Sequence, residues 1–160
     1  MNRTVEMITD YRKTTLKVLS GLSMGALNTI PPGFNNNLVW NFGHVVVSQQ
    51  TLYYPAAGLK PVIDEVLIER FRKGTKPGKF VDKAEFDNLK KISEDALIQF
   101  NRDLENNLFK DIKPFTLSSY GIEIKNAEDV LRALLHHEGL HLGYCMALKR
   151  ALSYHGNGSL

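Results

Sequence analysis

Residues His136-His137-Glu138-Gly139-Leu140-His141 place two imidazoles, His137 and His141, four positions apart. On a helix of about 3.6 residues per turn that spacing leaves the rings about 40° apart around the axis, so both can face one metal ion. His136 stands about 140° from His141 and is a poor partner for it. The segment also contains His-Glu-x-x-His, the zinc-protease signature in which the two histidines bind the ion and the glutamate is the general base. The nature of the site therefore turns on a third ligand.

Proteases of that kind take the third ligand from downstream. Residues 142–160 contain no Asp or Glu, and the extended histidine pattern meets Tyr144 where it needs glycine and Ala147 where it needs histidine. Only His155 lies further on, close to the end of the chain. Upstream there is His44, in Trp40-Asn41-Phe42-Gly43-His44, on a mixed helical stripe with Asn37, Trp40, Asn41, Val47, Ser48 and Thr51. Three neutral imidazoles hold Zn(II), Ni(II) or another divalent first-row ion and leave at least one position for water or substrate. An open position of that kind belongs to a site able to do chemistry.

Four long amphipathic segments must carry these residues. The first spans residues 4–27, with Val5, Ile8, Tyr11, Leu16, Leu19 and Leu22 recurring at helical steps before Pro31-Pro32-Gly33. The second starts within Asn35-Asn36-Asn37, whose side chains are good N-caps, and reaches about Tyr54, where Pro55 kinks or ends it. Residues 55–80 read as a loop with one short helix over 64–72. The third begins after Asp82, with Glu85 in capping-box position, and runs about 27 residues along a stripe of Phe86, Leu89, Ile92, Ala96, Phe100 and Leu104. Residues 114–124 alternate in polarity around Tyr120-Gly121, as a small hairpin would. The fourth, capped by Asn126, reaches about Tyr154, and the tail 155–160 reads as frayed. Helices without a convincing strand order predict an all-α fold, an antiparallel four-helix bundle, with the topology open because the connection between the second and third helices is long.

Composition bounds the rest. At 160 residues, 43% apolar and 23% charged, the chain reads as a single domain over 1–160. The net charge of +3 is mild, and Lys and Arg alternate with acids through residues 83–105, so no basic face for nucleic acid is expected. The lone Cys145 excludes an intramolecular disulfide and fits a reducing compartment. No apolar run reaches the ~18 residues of a membrane span, and the N-terminus lacks the apolar core of a signal peptide. The expectation is a cytoplasmic protein with no membrane partner.

The early Asn-x-x-Trp-Asn-x-Gly-His run, Asn37 to His44, together with the late Asn-Ala-Glu-Asp…His-Glu-Gly-x-His-x-Gly run, Asn126 to Gly143, resembles the DinB/YfiT-like superfamily of metal-binding four-helix bundles. The resemblance implies a homodimer and a metal held by His44, His137 and His141. It also implies a reaction class, because the superfamily includes thiol-dependent S-transferases and a mycothiol-dependent isomerase, in which a low-molecular-weight thiol is the co-substrate. The corresponding expectation is a metal-dependent transferase, with Zn or Ni activating such a thiol toward a small-molecule acceptor. A metal-dependent hydrolase of a small molecule, using Glu138 or a neighbour as base, and a non-catalytic metal- or ligand-binding stress protein are the alternatives.

Around the three histidines, Trp40, Asn41, Ser48 and Tyr144 are candidates for cofactor or substrate contacts, although aromatic core packing accounts equally for Trp40 and Tyr144. Cys145, one turn past His141, reads as a small core residue rather than a fourth ligand, and His136 as facing solvent or a dimer partner. Gly43 and Gly139 sit beside proposed ligands in helix interiors, where glycine costs about 1 kcal/mol relative to alanine. Close helix contact beside the metal is the expected reason, so that Gly139→Leu should disrupt metal loading.

Overall fold

The computed structural model describes residues 2–156, with side chains through Ser153; the tail expectation for 157–160, and the side chain of His155, lie outside the described residues. The helices are α1 (Arg3–Leu19), α2 (Met24–Asn28), α3 (Leu38–Ala56), α4 (Glu65–Phe71), α5 (Lys83–Glu105) and α6 (Ala127–Gly156), and β1 (Phe115–Leu117) pairs antiparallel with β2 (Ile122–Ile124) ahead of α6. The fold is an all-α helical bundle.

Local chemistry explains the boundaries. The Asn37 side chain accepts from the Trp40 amide at the start of α3, Asp82 and Glu85 form a reciprocal capping box on α5, and the Asn126 carbonyl oxygen accepts from the amides of Glu128 and Asp129. The first segment departs from its expected length. Gly21 adopts φ of 80°, which an L-residue resists, so α1 stops at Leu19 and Ser23 caps a separate short helix. Pro55 falls in the last turn of α3, where the helix ends anyway.

Contacts between the long helices define their order and direction. Arg12 meets Glu138 and Lys149 donates to the Val18 carbonyl, so α1 and α6 run parallel. Gln49 reaches the Ala96 carbonyl and the Tyr54 hydroxyl donates to Asp103, so α3 and α5 also run parallel. Asn41 against His141, with Tyr53 packed in the cluster of Val130 and Leu134, sets α3 antiparallel to α6; Asn2 on Asn101 and Arg12 on Ser93 do the same for α1 and α5. The ring is therefore α1–α6–α3–α5, up-up-down-down around its circumference, which settles the topology that the long connection between the second and third long helices left open: the bundle includes a crossover. A parallel α3–α5 pair requires the connecting chain to travel back along the bundle. Residues 57–82 do so and carry α4 against α3.

Two apolar clusters fill the ends of the bundle. One gathers Val5, Ile8, Tyr53, Phe100 and Leu134, and the other Leu19, Leu38, Phe42, Phe86, Cys145 and Leu148. Between them lies a polar layer built on Arg12, 2% exposed, and Glu138, 1% exposed. Arg12 donates from Nε at 2.9 Å and Nη2 at 2.8 Å to one Glu138 oxygen, from Nη1 to the Ser93 carbonyl and hydroxyl at 3.4 Å, and from Nη2 to the Val45 carbonyl at 3.2 Å. One guanidinium thus ties together α1, α3, α5 and α6.

Removing one partner of a buried pair strands the other charge, at a cost of about 3–5 kcal/mol, whereas replacing both with apolar groups can be near neutral. Arg12→Leu is expected to lose stability on that scale in chemical denaturation, and the Arg12→Leu/Glu138→Leu double variant to regain most of it. A double variant as unstable as the single one would show that the loss is not that of a stranded carboxylate.

Candidate metal centre

Helix α3 brings His44 to the polar layer, and α6 brings His137 and His141 to meet it from the antiparallel direction. The ring centroids are 5.3 Å apart for His44 and His137, 5.0 Å for His44 and His141, and 4.5 Å for His137 and His141. One nitrogen from each ring lies within 4.8 Å of the other two. Ligands about 2.1 Å from a tetrahedral ion are about 3.4 Å apart, so small side-chain rotations would close the set.

The outer edges of two rings are anchored. His44 Nδ1 donates to the Phe71 carbonyl at 2.7 Å; a carbonyl only accepts, so Nδ1 carries the proton and Nε2 presents its lone pair, toward which the Ser48 hydroxyl points at 3.2 Å. His141 Nδ1 donates to Asn41 Oδ1 at 2.9 Å, and Asn41 is held in that orientation by its own Nδ2 donating to the Asn37 carbonyl at 2.8 Å. Backbone and amide oxygens behind imidazoles are the usual means of fixing the tautomer of a metal-binding histidine. Trp40 lies flat on the His44 ring, 4.7 Å between centroids and 9° from parallel, with its indole N–H on the Thr75 hydroxyl at 3.0 Å.

His137 differs, because its Nδ1 is buried with no hydrogen-bond partner among the described residues. A buried polar atom left unpaired costs roughly 1–3 kcal/mol, and a cation among the three rings would satisfy an unpaired imidazole nitrogen. Charge points the same way. Burial lowers the pKa of His44, against the Phe71 hydrogen bond that raises it. Burial, followed by the neighbouring imidazoles, takes His137 down to about 2, and burial with His44 takes His141 to about 4. Neutral rings keep the lone pairs that a metal requires. The donor set, its protonation and the unpaired nitrogen all fit a divalent metal ion.

The three rings form one wall of a cavity of about 330 Å³. Ser48, Thr51 and Tyr53 continue that wall along α3, the hairpin residues 115–120 close the far side, and Lys73 stands at the rim. Of the other candidates, Ser48 lines the cavity, while Trp40 and Asn41 sit behind the rings and touch them. Glu138 and Tyr144 are not brought to it. Glu138 turns into the bundle onto Arg12, where burial pushes its carboxyl up and the guanidinium pulls it down. Tyr144 packs edge-on against Phe34. Cys145 is a fully buried core thiol with its pKa pushed up to about 12 by burial, and His136 is exposed and packs edge-on against Tyr120.

The glycine expectation divides. A Cβ on Gly43 would lie 2.5 Å from the Phe71 ring, so close contact beside His44 is real there. A Cβ on Gly139 would meet Tyr11 at 3.5 Å, an ordinary contact with α1 and not a tight approach at the site. Sequence reasoning missed Arg12, Phe71 and Lys73. Arg12 had a visible signal, a charge in the middle of the buried stripe Val5, Ile8, Thr15 and Leu19. Phe71 acts through its backbone oxygen, which leaves no trace in side-chain type.

A family model described as DinB superfamily matches residues 7–145. The chain belongs to the DinB superfamily. No curated protein matches it. Membership and the three-histidine cluster together fit a metal-binding DinB-like protein. No helix among the described residues is long and apolar enough to cross a membrane.

Because His137 and His141 titrate lower in the folded protein than the ~6.5 of an unfolded histidine, the unfolded chain binds more protons between those values. The metal-free protein should therefore lose thermal stability as pH falls from 6.5 toward 4, and His141→Gln should flatten that slope in scanning calorimetry. An unchanged slope in the variant would remove His141 as a source of the acid sensitivity.

Proposed function

We propose that this DinB-superfamily protein is a metal-dependent transferase in which His44, His137 and His141 hold a divalent ion, zinc or nickel, and the adjoining cavity takes a low-molecular-weight thiol and its small-molecule acceptor. The observation that carries the reading is the convergence of three neutral imidazoles, two anchored at Nδ1 and the third with a buried, unpartnered Nδ1, on the wall of a 330 Å³ cavity. The reaction class comes from the thiol-dependent transferases of the superfamily.

A divalent ion supplies positive charge that favours thiolate over thiol. The protein's own contribution is positional. Phe71 and Asn41 hold protons on the outer nitrogens of His44 and His141, and Trp40 fixes the His44 ring plane. Leu52, Phe115 and Leu117 give the cavity an apolar side that limits water, while Ser48 and Thr51 offer hydroxyls to polar parts of a ligand. In the transfer, sulfur forms a bond to the electrophilic carbon of the acceptor, the leaving group departs with its electron pair, and the thiol proton passes to water. Hydrolysis would call for a base near the rings. Among the described residues, none that lines the cavity is a carboxylate, and Glu138 is occupied by Arg12.

Metal content of wild type and His44→Ala, followed by thiol titration of the cobalt-loaded protein, tests the reading. Wild type should carry stoichiometric metal and the variant should lose affinity by more than the 10–100-fold typical of losing a group behind a ligand. Bacillithiol, glutathione or coenzyme A should then produce a thiolate-to-cobalt charge-transfer band. Equal metal in both proteins would exclude His44 as a ligand, and turnover of an ester or amide with no thiol effect would replace transfer by hydrolysis.

A further inference from the structure

Among the described residues that line the histidine cavity, Lys73 carries a formal positive charge at the rim. Lys73 follows α4 in the crossover, and its side chain reaches the hairpin, where the ammonium donates to the Ser119 hydroxyl at 2.8 Å and the Ser118 hydroxyl at 3.2 Å. Two neutral hydroxyls orient this ammonium without neutralising it. Lys79, Lys83, Lys90 and Lys91 each meet a carboxylate, but among the described residues no Asp or Glu oxygen lies within ion-pair distance of Lys73. Among the described residues, no Asp, Glu or Arg lines the cavity.

We propose that Lys73, held over the open side of the cavity by Ser118 and Ser119, binds the carboxylate of the small-molecule substrate. The inference rests on the reading of this cavity as a substrate site and names the substrate class. One point charge flanked by hydroxyls matches a monoanion. A phosphate dianion would be only half neutralised by this one ammonium, and among the described residues no arginine lines the cavity to supply a second charge. The placement also bears on reactivity. A substrate anchored at the rim by its charged end extends its remainder along Phe115 and Leu117 toward the imidazoles, so the reacting atom is fixed by two ends rather than one.

The test compares 3-mercaptopropionate with its neutral amide, 3-mercaptopropionamide, on metal-free and on cobalt-loaded protein, with binding read by NMR shifts of the hairpin amides. The acid should bind roughly tenfold tighter than the amide, the scale of a charge-assisted hydrogen bond at a partly solvated site. That preference should shrink with added salt. Lys73→Met should abolish the preference while leaving amide binding and metal content unchanged, and Lys73→Arg should retain it. Because Lys73 is exposed, the variants should fold, which circular dichroism checks. Equal affinity for acid and amide in wild type, no binding of either, or a preference that survives Lys73→Met would overturn the proposal. Preference in the metal-free protein without a cobalt band would uphold Lys73 and remove the thiol reading. A cobalt band with equal affinities would do the reverse.

Discussion

The Arg12–Glu138 pair is the constraint on which the rest of the bundle depends. Such a pair adds little net stability over an apolar replacement, because desolvating two charges offsets their attraction. Its effect is on uniqueness. All five guanidinium donors find acceptors only when α1, α3, α5 and α6 stand at one relative height, which fixes the register of the two parallel helix pairs. The apolar clusters on either side are tolerant of sliding in a way that this layer is not.

The same pair aims the histidines. Glu138 follows His137 directly, and consecutive residues on a helix point about 100° apart. Turning Glu138 inward to Arg12 therefore rotates His137 and His141 toward α3. In the protease motif that these residues imitate, the glutamate serves the metal. In this bundle it sets the rotation of the helix that presents the imidazoles, and Asn41 and Phe71 complete the orientation from the other side.

Legibility in the sequence followed the range of the forces involved. Helix caps at Asn37, Asp82 and Asn126 are local and were readable, as was the Tyr120-Gly121 hairpin. The i, i+4 histidine pair is likewise local, and His44 was within reach because its residue type is rare in this chain. Helix order was not readable: the ring α1–α6–α3–α5 arises from contacts between residues about a hundred positions apart, such as Arg12 with Glu138 and Asn41 with His141. Gly21 gives no stop signal in the sequence, because one glycine inside a helical period is ordinarily tolerated, and only its left-handed φ ends the helix. Contacts made through the backbone, like the Phe71 carbonyl on His44, were beyond any reading of side-chain types.

The crossover between α3 and α5 exists because parallel neighbours must be joined by a chain that runs the length of the bundle. In running it, residues 71–75 place a ring in the Gly43 notch, a carbonyl on His44, a hydroxyl on Trp40 and an ammonium over the cavity. The site is thus assembled from two kinds of material, a helical layer locked by buried charge and a surface strand of chain and hairpin facing it. Mutation can act on these separately. Lys73 and residues 115–120 touch the cavity without contributing to the buried ion pair, whereas a single change at Arg12 or Glu138 strands a buried charge. The face that meets solvent is thus separable from the framework that holds the imidazoles in place.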